Sequence, residues 1–493
     1  VLLLRSHAFL RGSTDTSSIE PDFFDVVPPA GSEAVWAKTL PSNSVLCGVL
    51  CGVDGGLAEA ERLAHALIPT RSNGVLHARR DKFEMNEALR TAGLPVAAQL
   101  APGPGRWPEI CAFVRRHGLP VVIKPRRGVA SQLVHLVHTE QEAQRVYESM
   151  SQNPTCVFTK EADAACGPVV QEFLEGREWI VDTVSRNGEH KVIAVYRYDK
   201  GTANGSPFVY FGVEAMGCDA AALALTSYAV RALEGLNWRW GPAHLELMET
   251  ADGPRLVEVN AGRWNGINFR RLARGCVGID AYEATLSAYL DDDDAWSRIL
   301  SHPPSKLLQA GRIVHIVSYV EGELIRIRHR TRIQRLPSMV SFEPRPERYG
   351  ERVERTTCFV SLAGDALLMH SDSEVVERDY QTLRKLQPSL FAVRGGTSSS
   401  GLWGELWRTL FRRRGGRMYV RVGYVLQALD GEQAVVSQLE MAQGATIMDG
   451  SMEGVEKVAM ATLDGGVTVV DADRVCARHF TVVAKISPDW DSA

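Results

Sequence analysis

The stretch Gly241 to Gly266, GPAHLELMETADGPRLVEVNAGRWNG, constrains the fold more than any other part of the chain. With the period of two expected of a strand, His244, Glu246 and Met248 share one face of the first run, and Leu245 and Leu247 the other. Leu256, Glu258 and Asn260 share a face of the second run, opposite Val257 and Val259. Ala251-Asp252-Gly253 suits a three-residue hairpin loop, a type I turn closed by a left-handed glycine. Such a loop pairs Thr250 with Pro254, Met248 with Leu256, Glu246 with Glu258 and His244 with Asn260. Two carboxylates then face each other across one sheet. Like charges directly opposite are destabilising, so a proton, a neighbouring base or a divalent cation is required between them. The cation is the working hypothesis.

At 493 residues the chain exceeds the roughly 250 to 300 at which single cores stop growing, and about two to four domains are expected. Its 55 basic and 59 acidic residues nearly balance, with no long basic stripe before position 390, which argues against nucleic acid as a partner. Nine cysteines without a C-x-x-C pair argue for reduced thiols and against structural zinc. No apolar run approaches the ~18 to 20 residues that cross a bilayer, and Val1 to Leu4 is too short for a signal-peptide core. A soluble, cytoplasmic protein is expected; because the chain opens on valine, it is read as a processed form or a fragment.

Before the hairpin, Val45 to Val53 reads as a strand, Gly55-Gly56 as a plain turn and Leu57 to Leu67 as a helix, one α/β unit. Asp81 caps a helix that ends before Gly93, with Lys82 in its first turn, where taken alone it is a solvated lysine. A helix Trp107 to His117 leads to an apolar strand ending in Lys124-Pro125, a loop Arg126 to Ser131 and a return strand Leu133 to Val137. A lysine at a strand end beside a glycine-containing loop suits a phosphate, since the ammonium supplies charge and the loop N–H donors; it is not a Walker loop. After a helix from Glu140 to Met150, Val169 to Phe173 reads as a strand. Glu178 to Ser185 and Lys191 to Tyr198 form a hairpin about Asn187-Gly188, with Glu178 on its own an edge carboxylate. Asp219 caps a helix to Gly235 and Asp280 one to Leu290, followed by a solvated acidic loop Asp291 to Asp294.

The order of these features is specific: two phosphate-type lysines, then QEFLEGREW, then GPAHLELM and LVEVN. It resembles the ATP-grasp superfamily and, within it, the carboxylate-amine ligases related to L-amino-acid ligases and carnosine synthase, over roughly residues 45 to 390. The resemblance implies an α/β (α+β) chain with the ATP-grasp fold. It makes Lys82 and Lys124 ATP phosphate ligands, Glu172 and Leu174 the backbone hinge at the adenine edge, and Glu178 the ribose contact. Glu246, Glu258 and Asn260 fall at the magnesium positions, where manganese is an alternative ion, and Gly128 to Ser131 at the mobile lid. Arg263 is the candidate for the oxyanion or substrate carboxylate, with Arg270 and Arg271 in reserve. Relatives place that arginine four residues after the glutamate, whereas here it stands five after Glu258. His244 is a candidate substrate contact or base, against the alternative of a packing histidine.

The implied domains are a partial N-terminal α/β domain (1–76), an ATP-grasp domain (77–300, with a lid-bearing lobe 77–170 and a catalytic lobe 171–300) and a β-rich subdomain (301–391). In the last of these, strands are expected at Ile313 to Val320 and Thr357 to Leu362. A linker and amphipathic helix follow at 392–417, the helix over 402–414 being read as docked onto its own domain, with a membrane surface or a partner as the alternative, and then an appendage at 418–493. The implied activity joins a small carboxylate to an amine, amino acids foremost, through an acyl phosphate with release of ADP; a homodimer is the assembly considered. The other reading is a degenerate ATP-grasp module that binds nucleotide or metabolite inside a larger assembly.

Overall fold

Long runs of Val, Ile, Tyr and Trp alternating with polar residues make the middle of the chain a set of extended antiparallel strands. The computed structural model describes residues 28–395, apart from 41–44, 53, 104, 129–130, 153–165 and 291. It also describes the backbone of strands at 2–5, 23–26, 411–414, 417–420, 424–427, 433–441, 455–461 and 467–471. Two units result, Val1–Gly395 and Gly396–Ala493.

The first unit opens with a parallel pair, β1 (Leu2–Arg5) and β2 (Phe23–Val26). A four-stranded antiparallel sheet follows from β3 (Gln99–Leu100), β4 (Val121–Pro125), β5 (His135–Val137) and β6 (Pro168–Glu172), in the order β3-β6-β4-β5. Val121 and Ile123 of β4 bury against the helices Trp107–His117 and Glu140–Gln152, while Val122 and Lys124 line the opposite side. Period two therefore delivers Lys124 to a cleft.

The large sheet has eight strands. They are β7 (Arg177–Arg186), β8 (Glu189–Ala203), β9 (Ser206–Met216), β10 (Gly241–Thr250), β11 (Gly253–Ala261) and β12 (Ala310–His315), and later β14 (Met339–Pro344) and β16 (Gly364–His370). Their order is β11-β10-β7-β8-β9-β12-β16-β14, antiparallel at every step. Three further strands, β13 (Gly322–Ile327), β15 (Arg352–Val353) and β17 (Phe391–Arg394), form a small sheet of their own. On one face of the large sheet Trp179, Val181, Val195, Leu245 and Leu247 pack with Leu225, Ala229 and Leu233 of the helix Ala220–Gly235, whose cap is Asp219. The other face packs Ile180, Tyr196, Val213 and Ile313 against Phe269 and Leu272, and the same sheet carries Glu178, Lys200 and Glu246 to the cleft.

The hairpin differs from expectation in its outer half. Thr250 pairs with Gly253, Glu249 with Pro254, Met248 with Arg255 and Leu247 with Leu256, one residue off the predicted register. A bulge at Val257 takes up the difference, so Glu246 pairs with Glu258 and His244 with Asn260 as expected. The bulge reverses one facing: Leu256 joins the core beside Leu247, and Val257 borders the cleft.

Other elements also depart from expectation. Val45–Leu50 is not a strand; it has no ladder partner among the described residues, and Val45 is 84 % exposed. The strand expected over Ile313 to Val320 is β12, ending at His315, and Phe359–Ser361 is a 3-10 turn closed by Ser361 on the Cys358 N–H rather than a strand. Asp292 caps a short helix, Asp293–Arg298, in the expected acidic loop. Of the amphipathic helix expected at 402–414, residues 402–410 lie outside the described residues, and Phe411–Arg414 is a strand paired antiparallel with Arg417–Val420. The second unit contains a six-stranded antiparallel sheet. Among the described residues no helix is long and apolar enough to cross a membrane.

Candidate active site

The four-stranded and eight-stranded sheets of the first unit line a common cleft. Lys82, Lys124, Gly128, Ser131, Glu172, Leu174, Glu178, Glu246 and Glu258 all line it. Lys82 arrives there because Asp81, fully buried, caps the helix Lys82–Thr91 by accepting from the Phe83 and Glu84 N–H groups. Its ammonium lies 2.7 Å from Glu258 Oε2 and donates to the Gly128 carbonyl at 3.0 Å. Asp81 also receives Arg126 at 2.8 Å and Arg127 at 3.3 Å, so the start of the loop after β4 is fastened to the helix that carries Lys82. Residues 129–130 of that loop lie outside the described residues. Ser131, beyond them, shares a 2.6 Å hydrogen bond with the Tyr210 hydroxyl. Burial and the neighbouring Lys82 charge depress the Lys124 pKa to about 8, against the raising influence of Glu258, Glu178 and Glu246.

Lys200 is the residue that sequence reasoning missed. It stands on β8, half-buried, paired with Glu178 and 3.9 Å from Glu246 Oε2. Its ammonium lies 4.1 Å from the ring centres of both Tyr198 and Tyr210. Burial would lower its pKa, but Glu178, Tyr210 and Glu246 outweigh that and raise it. Extending the alternation of the hairpin past Tyr196 and Tyr198 reaches Lys200, and this is the signal that could have found it.

The facing carboxylates thus have neighbouring bases. Glu258 has Lys82; Glu246 has Lys200, the Tyr198 hydroxyl at 3.0 Å, and His244 Nε2 at 3.6 Å. Burial pushes Glu246 upward, yet Lys200 and His244 hold its carboxyl below the usual range. Glu178, which shares Lys200 but lies beside Glu246, is instead pushed up to about 7, chiefly by burial. Of the two, Glu178 takes a proton first. Asn260 donates to Glu258 Oε1 at 3.3 Å and borders a smaller recess with Asp54, Arg80, Lys82 and Glu258. Among the described residues no group of three His, Cys, Asp or Glu side chains is arranged for a metal, but the two opposed carboxylates and the Asn260 amide form the hard-oxygen donor set that magnesium takes.

The two candidate catalytic residues lie away from the main cleft. His244 is wholly buried and does not line it; Nδ1 bonds Asp182 at 2.7 Å, Nε2 turns to Glu246, and the ring meets Phe269 edge-on at 5.6 Å. Burial would lower its pKa, but Asp182 and Glu246 raise it to about 9, and both ring nitrogens are engaged, by Asp182 and by Asn265. The Gly262 turn, at φ +84°, carries Arg263 onto Asp54, with Nε–Oδ1 at 2.6 Å and Nη2–Oδ2 at 2.9 Å. Burial opposes the charged form, but this fork-to-fork pair raises the Arg263 pKa and lowers that of Asp54. The reserve arginines are engaged elsewhere, Arg270 by Asp280 at 2.7 Å and Arg271 by Glu343 at 3.1 Å. At the hinge, the Glu172 N–H donates to the Ala98 carbonyl and its carboxylate accepts from the Ala98 N–H. Phe173 and Leu174 continue along the cleft wall.

Two antiparallel sheets closing on lysines, a hinge segment and paired carboxylates define the ATP-grasp fold, and residues 117–270 match the model of the ATP-grasp domain. The chain carries an ATP-grasp domain. It is similar to dapdiamide A synthase of Enterobacter agglomerans, 30 % identical over 217 residues that cover 43 % of this chain and 50 % of that protein. It is likewise similar to the D-alanine--D-alanine ligase of Mycobacterium ulcerans, 29 % identical over 48 % of this chain and 63 % of that one. The chain thus spans half to under two thirds of these relatives. Among solved structures, the L-amino acid ligase of Bacillus licheniformis superposes with a TM-score of 0.59 at 19 % identity, over 78 % of this chain and 91 % of that one. The biotin carboxylase domain of the Hydrogenobacter thermophilus 2-oxoglutarate carboxylase, in complex with MgADP, ADP and bicarbonate, superposes at 0.52 with 13 % identity, over 80 % and 85 %.

Proposed function

We propose that this protein is an ATP-dependent carboxylate-amine ligase that forms an amide or peptide bond between small molecules, amino acids foremost, and releases ADP and phosphate. The observation that carries the reading is the convergence of Lys82, Lys124 and Lys200 on Glu246 and Glu258 in one cleft between two sheets. Likeness to dapdiamide A synthase and D-alanine--D-alanine ligase supports the reaction class. A carboxylate is a poor electrophile and becomes reactive once it has attacked the γ-phosphate to form an acyl phosphate; an amine then expels phosphate. Phosphoryl transfer asks the protein mainly for position and charge neutralisation. Lys82 and Lys124 supply charge to the triphosphate, Lys200 adds a third cation beside Glu178 and Glu246, and Phe173 and Leu174 wall the adenine. Glu246, Glu258 and Asn260 would hold magnesium, which would supply charge neutralisation to the phosphates. His244 positions Glu246 and keeps it ionised.

The test is magnesium-dependent ADP release against paired amino acids. Substitutions Glu258→Gln and Lys124→Ala should each remove it, and retention of activity in both would refute the site. The pairing of Arg263 with Asp54 favours one competing reading, a module that binds nucleotide without turnover. Tight Mg-ATP binding without ADP formation across the panel would select that reading.

A further inference from the structure

The face of the large sheet that bears Glu178, Lys200 and Glu246 continues past the cleft onto β9, β12 and β16, where a second polar group stands. Lys200, 3.9 Å from Glu246, has its ammonium 4.1 Å from the Tyr210 ring centre; that ring lies 6.3 Å from His315 and 5.5 Å from Phe359. His315 ends β12 and is 2 % exposed. Its Nδ1 lies 2.6 Å from Asp365 Oδ1 on the neighbouring strand, the register partner of His315. Gln387 fixes the same residue through its carbonyl at 2.8 Å. Nε2, in contrast, has no hydrogen-bond partner although it is buried.

A buried, unpartnered imidazole nitrogen is costly, and such exceptions call for an explanation. With the Asp365 carboxylate accepting the Nδ1 proton, the neutral ring presents a lone pair at Nε2, and Asp365 stabilises the imidazolium once Nε2 is protonated. The His315 ring also meets Phe359 edge-on at 5.6 Å, and Phe359 stands on a 3-10 turn whose next residue, Val360, is 42 % exposed. Tyr210, whose ring meets His315 edge-on at 6.3 Å, shares a hydrogen bond with Ser131 of the cleft.

We infer that His315, oriented by Asp365, is the base of the amine-substrate subsite: an ammonium group enters beneath the Phe359 turn and gives its proton to His315 Nε2. The inference rests on the ligase reading. The amine arrives protonated at neutral pH and has no lone pair until that proton leaves. Nε2 takes it; the amine nitrogen then forms the C–N bond with the acyl carbonyl carbon while the C–O bond to phosphate breaks. Phosphate departs with the bonding pair, and the second N–H proton passes to it. No oxidant or further co-reactant is needed. His244 cannot serve, since both its nitrogens are engaged.

Hydroxylamine separates the roles, because it is unprotonated at neutral pH and captures an acyl phosphate without a base. With the full-length enzyme, His315→Gln should lower amide formation from amino-acid amines roughly 10²-fold or more. Hydroxamate formation from the same carboxylate and ATP, and the KM for ATP, should stay at the wild-type level. Asp365→Asn, which disfavours the required tautomer, should lower amide formation by an intermediate factor with hydroxamate again preserved. Raising the pH toward the pKa of the amine should recover part of the loss in both variants. Equal loss of amide and hydroxamate would assign His315 to packing and overturn the inference, as would unchanged amide formation in His315→Gln. If the wild-type enzyme itself yields no hydroxamate with any carboxylate, it is the ligase reading that fails.

Discussion

Lys124 illustrates how burial and charge set the behaviour of single residues in this cleft. An exposed lysine has a pKa near 10.5, whereas burial and Lys82 bring Lys124 to about 8. Its charge is therefore half lost at about pH 8 and falls further as the pH rises. Affinity for ATP should fall as pH rises through that value, and in Lys124→Arg the fall should be absent; titration of nucleotide binding from pH 6.5 to 9.5 checks both. Lys200→Met should cost more than a surface lysine. It removes the partner of Glu178 and one of the cations beside Glu246, leaving two neighbouring carboxylates to repel each other. We expect at least a tenfold loss of ADP release, read as ΔΔG‡ of about 1.4 kcal/mol or more.

At the scale of elements, caps and close approaches position these side chains. Asp81 caps the Lys82 helix and receives Arg126 and Arg127, so Asp81→Ala should lower stability by at least the ~1 kcal/mol of a lost cap. The same change should loosen the start of the loop after β4, visible as faster proteolysis near 126–131. Gly176 leads into β7 at φ +156°, and a Cβ there would stand 2.0 Å from the Glu249 carbonyl oxygen. Gly176→Ala must therefore move the start of the strand that carries Glu178. A destabilisation of roughly 1–3 kcal/mol in a denaturant melt, with weaker ATP binding, is the expected outcome. The bulge at Val257 belongs to this scale too. It lets a turn one residue shorter than expected coexist with the Glu246–Glu258 pairing, and it moves Leu256 from the cleft face to the core.

For the whole molecule, the boundary at Gly395 predicts that a chain ending there keeps the cleft intact. Its melting transition and ADP release should match those of the full chain, and loss of either would tie the second unit to the function. Much of this architecture was legible in the sequence, because strand alternation and helix caps act over a few residues. The helix Leu57–Leu67, the caps Asp81, Asp219 and Asp280, and the inner pairs His244–Asn260 and Glu246–Glu258 follow from local pattern. Val45–Leu50 was misread because an apolar run becomes a strand only when a partner edge exists, which no local pattern reveals. Lys200, the burial of His244 between Asp182 and Glu246, and the pairing of Arg263 with Asp54 join residues 46, 62 and 209 positions apart. By itself the sequence determined the faces of the strands and hence which carboxylates must meet. Only the tertiary structure decided which cations meet them, because charge compensation depends on distances between strands far apart in the chain.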